Sequence, residues 1–132
     1  MAALIVLGVG AAWRSADVKR LALYVVASAA LMAIPVYLTG DAAVMVIRNR
    51  PGTSLISIGD HQESANRAII ALEVAGAAAV AGLWRFRRRD LPRWFVVAMF
   101  ALGLLAMGLL IRTAYIGGHI THPETMPGFT VS

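Results

Sequence analysis

The chain has 132 residues, of which 59% are hydrophobic and 14% charged, with a formal net charge of +5. A mean hydropathy of +0.73 is too apolar for a soluble domain, where the apolar share is about half, and it points to an integral membrane protein of one domain. Cysteine is absent, which excludes a disulfide framework, thiolate-ligated iron–sulfur clusters and haem attached through thioether bonds.

Four apolar runs broken by charge predict an all-α, integral membrane four-helix bundle. Its helices are expected at about residues 2–13, 21–38, 61–84 and 94–115, followed by an outward tail over 117–132. The first helix is short: about 12 residues at ~1.5 Å each reach about 18 Å of a hydrocarbon core about 30 Å thick. It is therefore a half-span, or the chain continues upstream of Met1. A cleaved signal peptide fits poorly, because no basic segment precedes the run and Trp13-Arg14-Ser15 is not a small-residue cleavage site.

The second helix carries Pro35 near its outer end, where a missing N–H and a ring clash should kink or stop it. Thr39-Gly40-Asp41 then reads as a turn. The apolar stretch over 41–47 predicts a short interfacial helix, ended by Pro51-Gly52. The third helix opens on Asp60 with Glu63 three residues later, the spacing of a capping box with Asp as the cap. That assignment makes His61 the first helical residue, where the positive end of the helix dipole favours neutral imidazole.

Further along, the small residues over 75–82 form a face for close helix packing, and Trp84 and Trp94 suit an aromatic belt at the inner interface. The fourth helix contains Gly103 and Gly108, again favouring tight packing. Arg112 ends its apolar run, and Gly117-Gly118 is expected to break or redirect the backbone ahead of His119 and His122.

An isoelectric point near 10.8 invites nucleic acid as a partner, but the basic residues sort by membrane side and do not form a groove-binding face, so none is expected. Arg14, Lys19 and Arg20 lie between the first two runs, and Arg85, Arg87, Arg88, Arg89 and Arg93 between the last two. The positive-inside rule puts both loops in the cytoplasm and both termini on the outer, periplasmic side of a bacterial inner membrane. The arginine-rich loop can also meet anionic headgroups, at about 1 kcal/mol per charge.

The segments Pro35-Val36-Tyr37-Leu38-Thr39-Gly40-Asp41, His61-Gln62-Glu63, Arg112-Thr113-Ala114-Tyr115-Ile116-Gly117-Gly118 and His122-Pro123-Glu124 resemble a group of small four-helix bacterial membrane proteins of uncharacterised function. Those proteins look like P-x-Y-L-T-G-E/D after the second helix, H-E near the start of the third and R-T-A-x-x-G-G-x-I-x-H-P-E after the fourth. The resemblance implies that His61 and His122 match the group's histidines, whereas His119 stands where it carries another polar residue. It implies the topology and no activity.

His61, His119 and His122 are the only histidines, and all fall at the same expected outer edge of the bundle. Imidazole is a common metal ligand and an axial ligand of haem iron. A b-type haem between His61 and His122 or His119 is thus one expectation, with Asp60, Glu63 or Glu124 orienting the rings. A copper or zinc site using His119, His122 and Met126 is another. Against both stands a structural role, in which interfacial histidines bond backbone or headgroups.

Glu73 lies in mid-helix, where a carboxylate costs a few kcal/mol unless it is protonated or paired. It is a candidate proton relay or quinone contact, or else a bonding partner for a neighbouring helix. Arg67, four residues after Glu63, is expected to pair with it. There is no G-x-S-x-G, H-E-x-x-H or Walker A motif, so a stand-alone enzyme is not expected. Two functions remain open: a small subunit of an electron-transfer or respiratory assembly carrying haem b and exchanging electrons with quinone, or a cofactor-free accessory subunit stabilising a larger complex. In both, the expected partners are the lipid bilayer and other membrane subunits, because so small a protein leaves much helical surface uncovered.

Overall fold

The computed structural model describes residues 15–47 and 55–121. Among them there are three helices: α1 (Ala16–Ile47), α2 (Leu55–Arg85) and α3 (Arg93–Thr121). All three are long and apolar enough to cross a membrane, over Ala16–Val46, Ile58–Arg85 and Arg93–Gly118. The four-helix bundle expected from the apolar runs is corrected to this three-helix arrangement. The expected first helix at 2–13 lies outside the described residues.

Helix α2 is the middle of the arrangement and packs against both α1 and α3. Successive helices run antiparallel. At one end Arg20 of α1 reaches the α2–α3 loop, and at the other Tyr37 of α1 meets Asn66 of α2, while His61 of α2 meets Thr113 of α3. The central position shows in burial: 28% of the apolar window of α2 is covered, against 17% in each flanking helix. It also explains why α2 carries the small residues. A Cβ at Gly76 would collide with that of Ala30, and one at Gly82 with the ring of Phe95, so both positions are seams where neighbouring helices come close.

The apolar core, with Ala22, Leu23, Ala79, Leu91, Val96 and Met99, gathers at the end carrying the arginine-rich loop. Phe86, Phe95 and Trp94 pack beside it, Phe86 tilted against Phe95 at 5.5 Å between ring centroids and Trp94 edge-to-face with Phe95 at 5.7 Å. One Nη of Arg20 donates to the carbonyls of Phe86 and Arg89, both at 3.2 Å. This ties the start of α1 to the loop, where the Phe86 carbonyl also accepts from Arg89 N–H at 3.1 Å. Pro92 accepts from Phe95 and Val96 through its carbonyl, which starts α3 at a position where a proline's missing N–H costs nothing.

Several expected boundaries move. Helix α1 is continuous through Pro35 and Thr39-Gly40-Asp41 to Ile47, so the expected turn and the separate interfacial helix over 41–47 become its last turns. Proline removes a single backbone bond, and the Thr39 hydroxyl bonds back to the Pro35 and Val36 carbonyls at 3.0 Å. One lost bond is small beside those of the turns on either side, so the helix persists. Helix α2 starts at Leu55, which puts Asp60 and His61 inside the helix and removes both the capping box and the dipole argument for His61. Helix α3 likewise continues through Gly117-Gly118 to Thr121, so residues 117–121 of the expected tail are helical, and the rest of it lies outside the described residues.

Candidate functional site

At the end opposite the arginine-rich loop, a second set of polar groups collects where the N-terminal part of α2 meets the C-terminal part of α3. Helical periodicity sets the α2 side. His61, Ser64 and Ala68 recur at the three- and four-residue spacing that shares one face, and Ser64 and Ala68 are buried. On α3, Thr113 and Gly117 are four residues apart and meet that face.

Three contacts form the seam. His61 Nδ1–H donates to the Thr113 carbonyl oxygen over 3.1 Å. Thr113 Oγ1 in turn donates to the Leu109 carbonyl at 2.9 Å, so at its 2.9 Å contact with Ser64 Oγ the serine is the donor. Gly117 lies under the imidazole: a Cβ there would stand 2.9 Å from His61 Cε1 and 3.1 Å from Nδ1. The ring is therefore held in plane by a hydrogen bond and from below by a backbone with no side chain. Because a carbonyl can only accept, the contact fixes the proton on Nδ1, and in neutral imidazole Nε2 is then the basic nitrogen.

Beside this seam an open groove of about 200 Å³ is lined by Asp60, Glu63, Ser64, Arg67, Arg112 and Ile116. The expected pair of Arg67 with Glu63 is present. Both side chains are more than half exposed, 57% and 64%, so this ion pair contributes a few tenths of a kcal/mol at most. Asp60 and Arg112 have no hydrogen-bond or ion-pair partner among the described residues.

Of the three histidines, His61 is in the seam. The α3 backbone carries His119 two residues beyond Gly117, at the same end, and His122 lies outside the described residues. Among the described residues no group of three or more His, Cys, Asp or Glu side chains is placed to hold a metal ion. Glu73 sits in mid-α2 with Oε1 enclosed and unpartnered, so the bond to a neighbouring helix expected as one alternative is not formed at that atom. Tyr37 of the neighbouring α1 bonds Asn66 instead.

Sequence reasoning missed Ser64 and Thr113. Their signal was present: a serine three residues after His61 on the same helical face, and a threonine beside the arginine of the R-T-A segment. No family model, characterised protein or solved structure matches the chain.

Proposed function

We propose that this chain is a small membrane-spanning subunit that stabilises a larger bacterial membrane assembly without binding a cofactor of its own. The observation that carries this reading is the placement of His61. The strongest candidate ligand is engaged in joining α2 to α3, through Thr113 and over Gly117, which is the work of a structural histidine. The outer faces of α1 and α3 agree with it. Leu31, Met32, Val36 and Leu38 on one and Val97, Leu105, Ile111 and Tyr115 on the other are exposed, a surface that lipid or a neighbouring subunit would cover.

A second reading has one observation in its favour. The Nδ1–H bond to a backbone carbonyl is the arrangement that orients metal-bound histidines and leaves Nε2 to coordinate. Under that reading His61, with His119 or His122, holds haem b in an electron-transfer subunit, and Glu73 contacts quinone or a proton. Haem would supply one-electron chemistry.

A reduced-minus-oxidised absorption spectrum of the full chain, purified from its native membrane, separates the two. The accessory role predicts a flat spectrum and migration of the tagged chain within one larger complex on native gels. A b-type band abolished by His61→Ala would overturn it in favour of the haem subunit.

A further inference from the structure

The groove between α2 and α3 has a composition that the helix seam does not need. Asp60, Glu63 and Arg67 recur on α2 at intervals of three and four residues, and Arg112 and Ile116 are four apart on α3. Each set therefore shares one face of its helix. Two carboxylates and two guanidiniums line the groove, so it is neutral overall but strongly divided by sign. Glu63 and Arg67 satisfy each other in part, whereas Asp60 and Arg112 have no partner among the described residues. The ligand that complements this wall carries one anionic and one cationic group a few ångströms apart.

Depth identifies the source. From Arg67 to Arg85 along α2 is about 27 Å, and from Arg93 to Arg112 along α3 about 28 Å, at the rise of an α-helix. The hydrocarbon core of a bilayer is about 30 Å thick. With Arg85 and Arg93 at one edge of the hydrocarbon core, Arg67 and Arg112 stand together at the other, on adjacent helices, where a long guanidinium side chain extends outward to lipid phosphates. A volume of about 200 Å³ equals roughly six or seven waters, room for a headgroup but not for its acyl chains. Ile116 lines the groove, and on the bilayer side of Arg112 along α3 Leu105 and Ile111 are exposed, where such chains would run.

We propose that this groove binds the headgroup of a phosphatidylethanolamine lipid, its phosphate on Arg112 beside Arg67 and its ammonium on Asp60 and Glu63. The guanidinium fork offers two parallel N–H donors to phosphate oxygens. The primary ammonium offers three N–H donors to the carboxylates, and a choline headgroup has none. An anionic headgroup such as phosphatidylglycerol would satisfy Arg112 but leave Asp60 facing uncompensated negative charge. The inference depends on the helices lying in a bilayer and is independent of whether the protein carries haem.

Native mass spectrometry of the detergent-purified full chain, offered equal amounts of phosphatidylethanolamine, phosphatidylcholine and phosphatidylglycerol with identical acyl chains, tests it. The expected result is retention of phosphatidylethanolamine over either competitor by roughly three- to tenfold, the size of a charge-assisted hydrogen bond at a wet interface. Arg112→Ala should reduce that retention to the phosphatidylcholine level. Asp60→Asn should erase the ethanolamine-over-choline preference while leaving total phospholipid binding in place. Equal retention of the three lipids, a preference for phosphatidylglycerol, or undiminished ethanolamine binding by Arg112→Ala would overturn the proposal. Helix content and melting in lipid-free detergent check that each variant folds. Should Arg112→Ala fail that check, Asp60→Asn still decides, because Asp60 is exposed and unpartnered.

Discussion

The seam between α2 and α3 turns on one close approach, that of Gly117 to the His61 ring. In an otherwise regular helix, alanine in place of glycine is favourable by about 1 kcal/mol. At position 117 the added Cβ would stand 2.9 Å from His61 Cε1, and the ring cannot withdraw without losing its bond to the Thr113 carbonyl. A part-buried hydrogen bond of this kind contributes about 1 kcal/mol, and overpacking adds about 1 to 3 kcal/mol. Gly117→Ala is therefore expected to destabilise the protein by about 1 to 3 kcal/mol net. In a His61→Ala background the obstacle is gone, and the same substitution should become neutral or stabilising. Thermal or denaturant unfolding of the four proteins in detergent measures this cycle. A Gly117→Ala cost that is unchanged when His61 is absent would show that the ring does not rest on this glycine.

Among the helices, glycine divides into two kinds. Gly82 of α2 faces the Phe95 ring, which is itself packed against Phe86 and Trp94 and has little freedom to shift, so Gly82→Ala should cost about 1 to 3 kcal/mol. Gly108 of α3 has nothing within 4 Å of an added Cβ, and Gly108→Ala should stabilise by about 0.5 to 1 kcal/mol through backbone entropy alone. Unfolding midpoints of the two variants, moving in opposite directions, check the helix packing. The same contrast shows how far the elements were legible in the sequence. Hydropathy located three of the helices, and the small residues over 75–82 correctly marked a packing face on α2. Their ends were misplaced because glycine and proline mark helix ends by propensity alone: a glycine keeps its N–H and costs only about 1 kcal/mol inside a helix, and Pro35 removes a single backbone bond, so a helix held by packing continues through them. Asp60 and Glu63 imitated a capping box because their spacing also suits a groove wall and an i,i+4 pair with Arg67. Periodicity could place His61 on a face, but only the register of α3 against α2 brings it to Thr113 and Gly117, and sequence pattern does not set that register.

For the molecule as a whole, charge and burial are arranged along one axis. Lys19, Arg20, Arg85, Arg87, Arg88, Arg89 and Arg93 share the end where the apolar core is densest, and the polar seam and mixed-charge groove share the other. The antiparallel packing creates this asymmetry, because it joins the start of α1 to the α2–α3 loop through Arg20. Short basic loops stay on the cytoplasmic side during insertion, so the arginine-rich end should face the cytoplasm and the groove the outside. The absence of cysteine makes the orientation directly measurable with single-cysteine variants. Gly59→Cys lies at the groove end, exposed and with open space around it, and Arg88→Cys lies in the exposed loop at the other. A membrane-impermeant maleimide added to intact cells should label Gly59→Cys and spare Arg88→Cys until the membrane is opened. The opposite pattern would invert the protein, placing the groove and His61 in the cytoplasmic leaflet. Replacing Arg87, Arg88 and Arg89 together by glutamine should weaken the bias and yield labelling of position 59 in only part of the population, since orientation follows the difference in basic residues between the two sides.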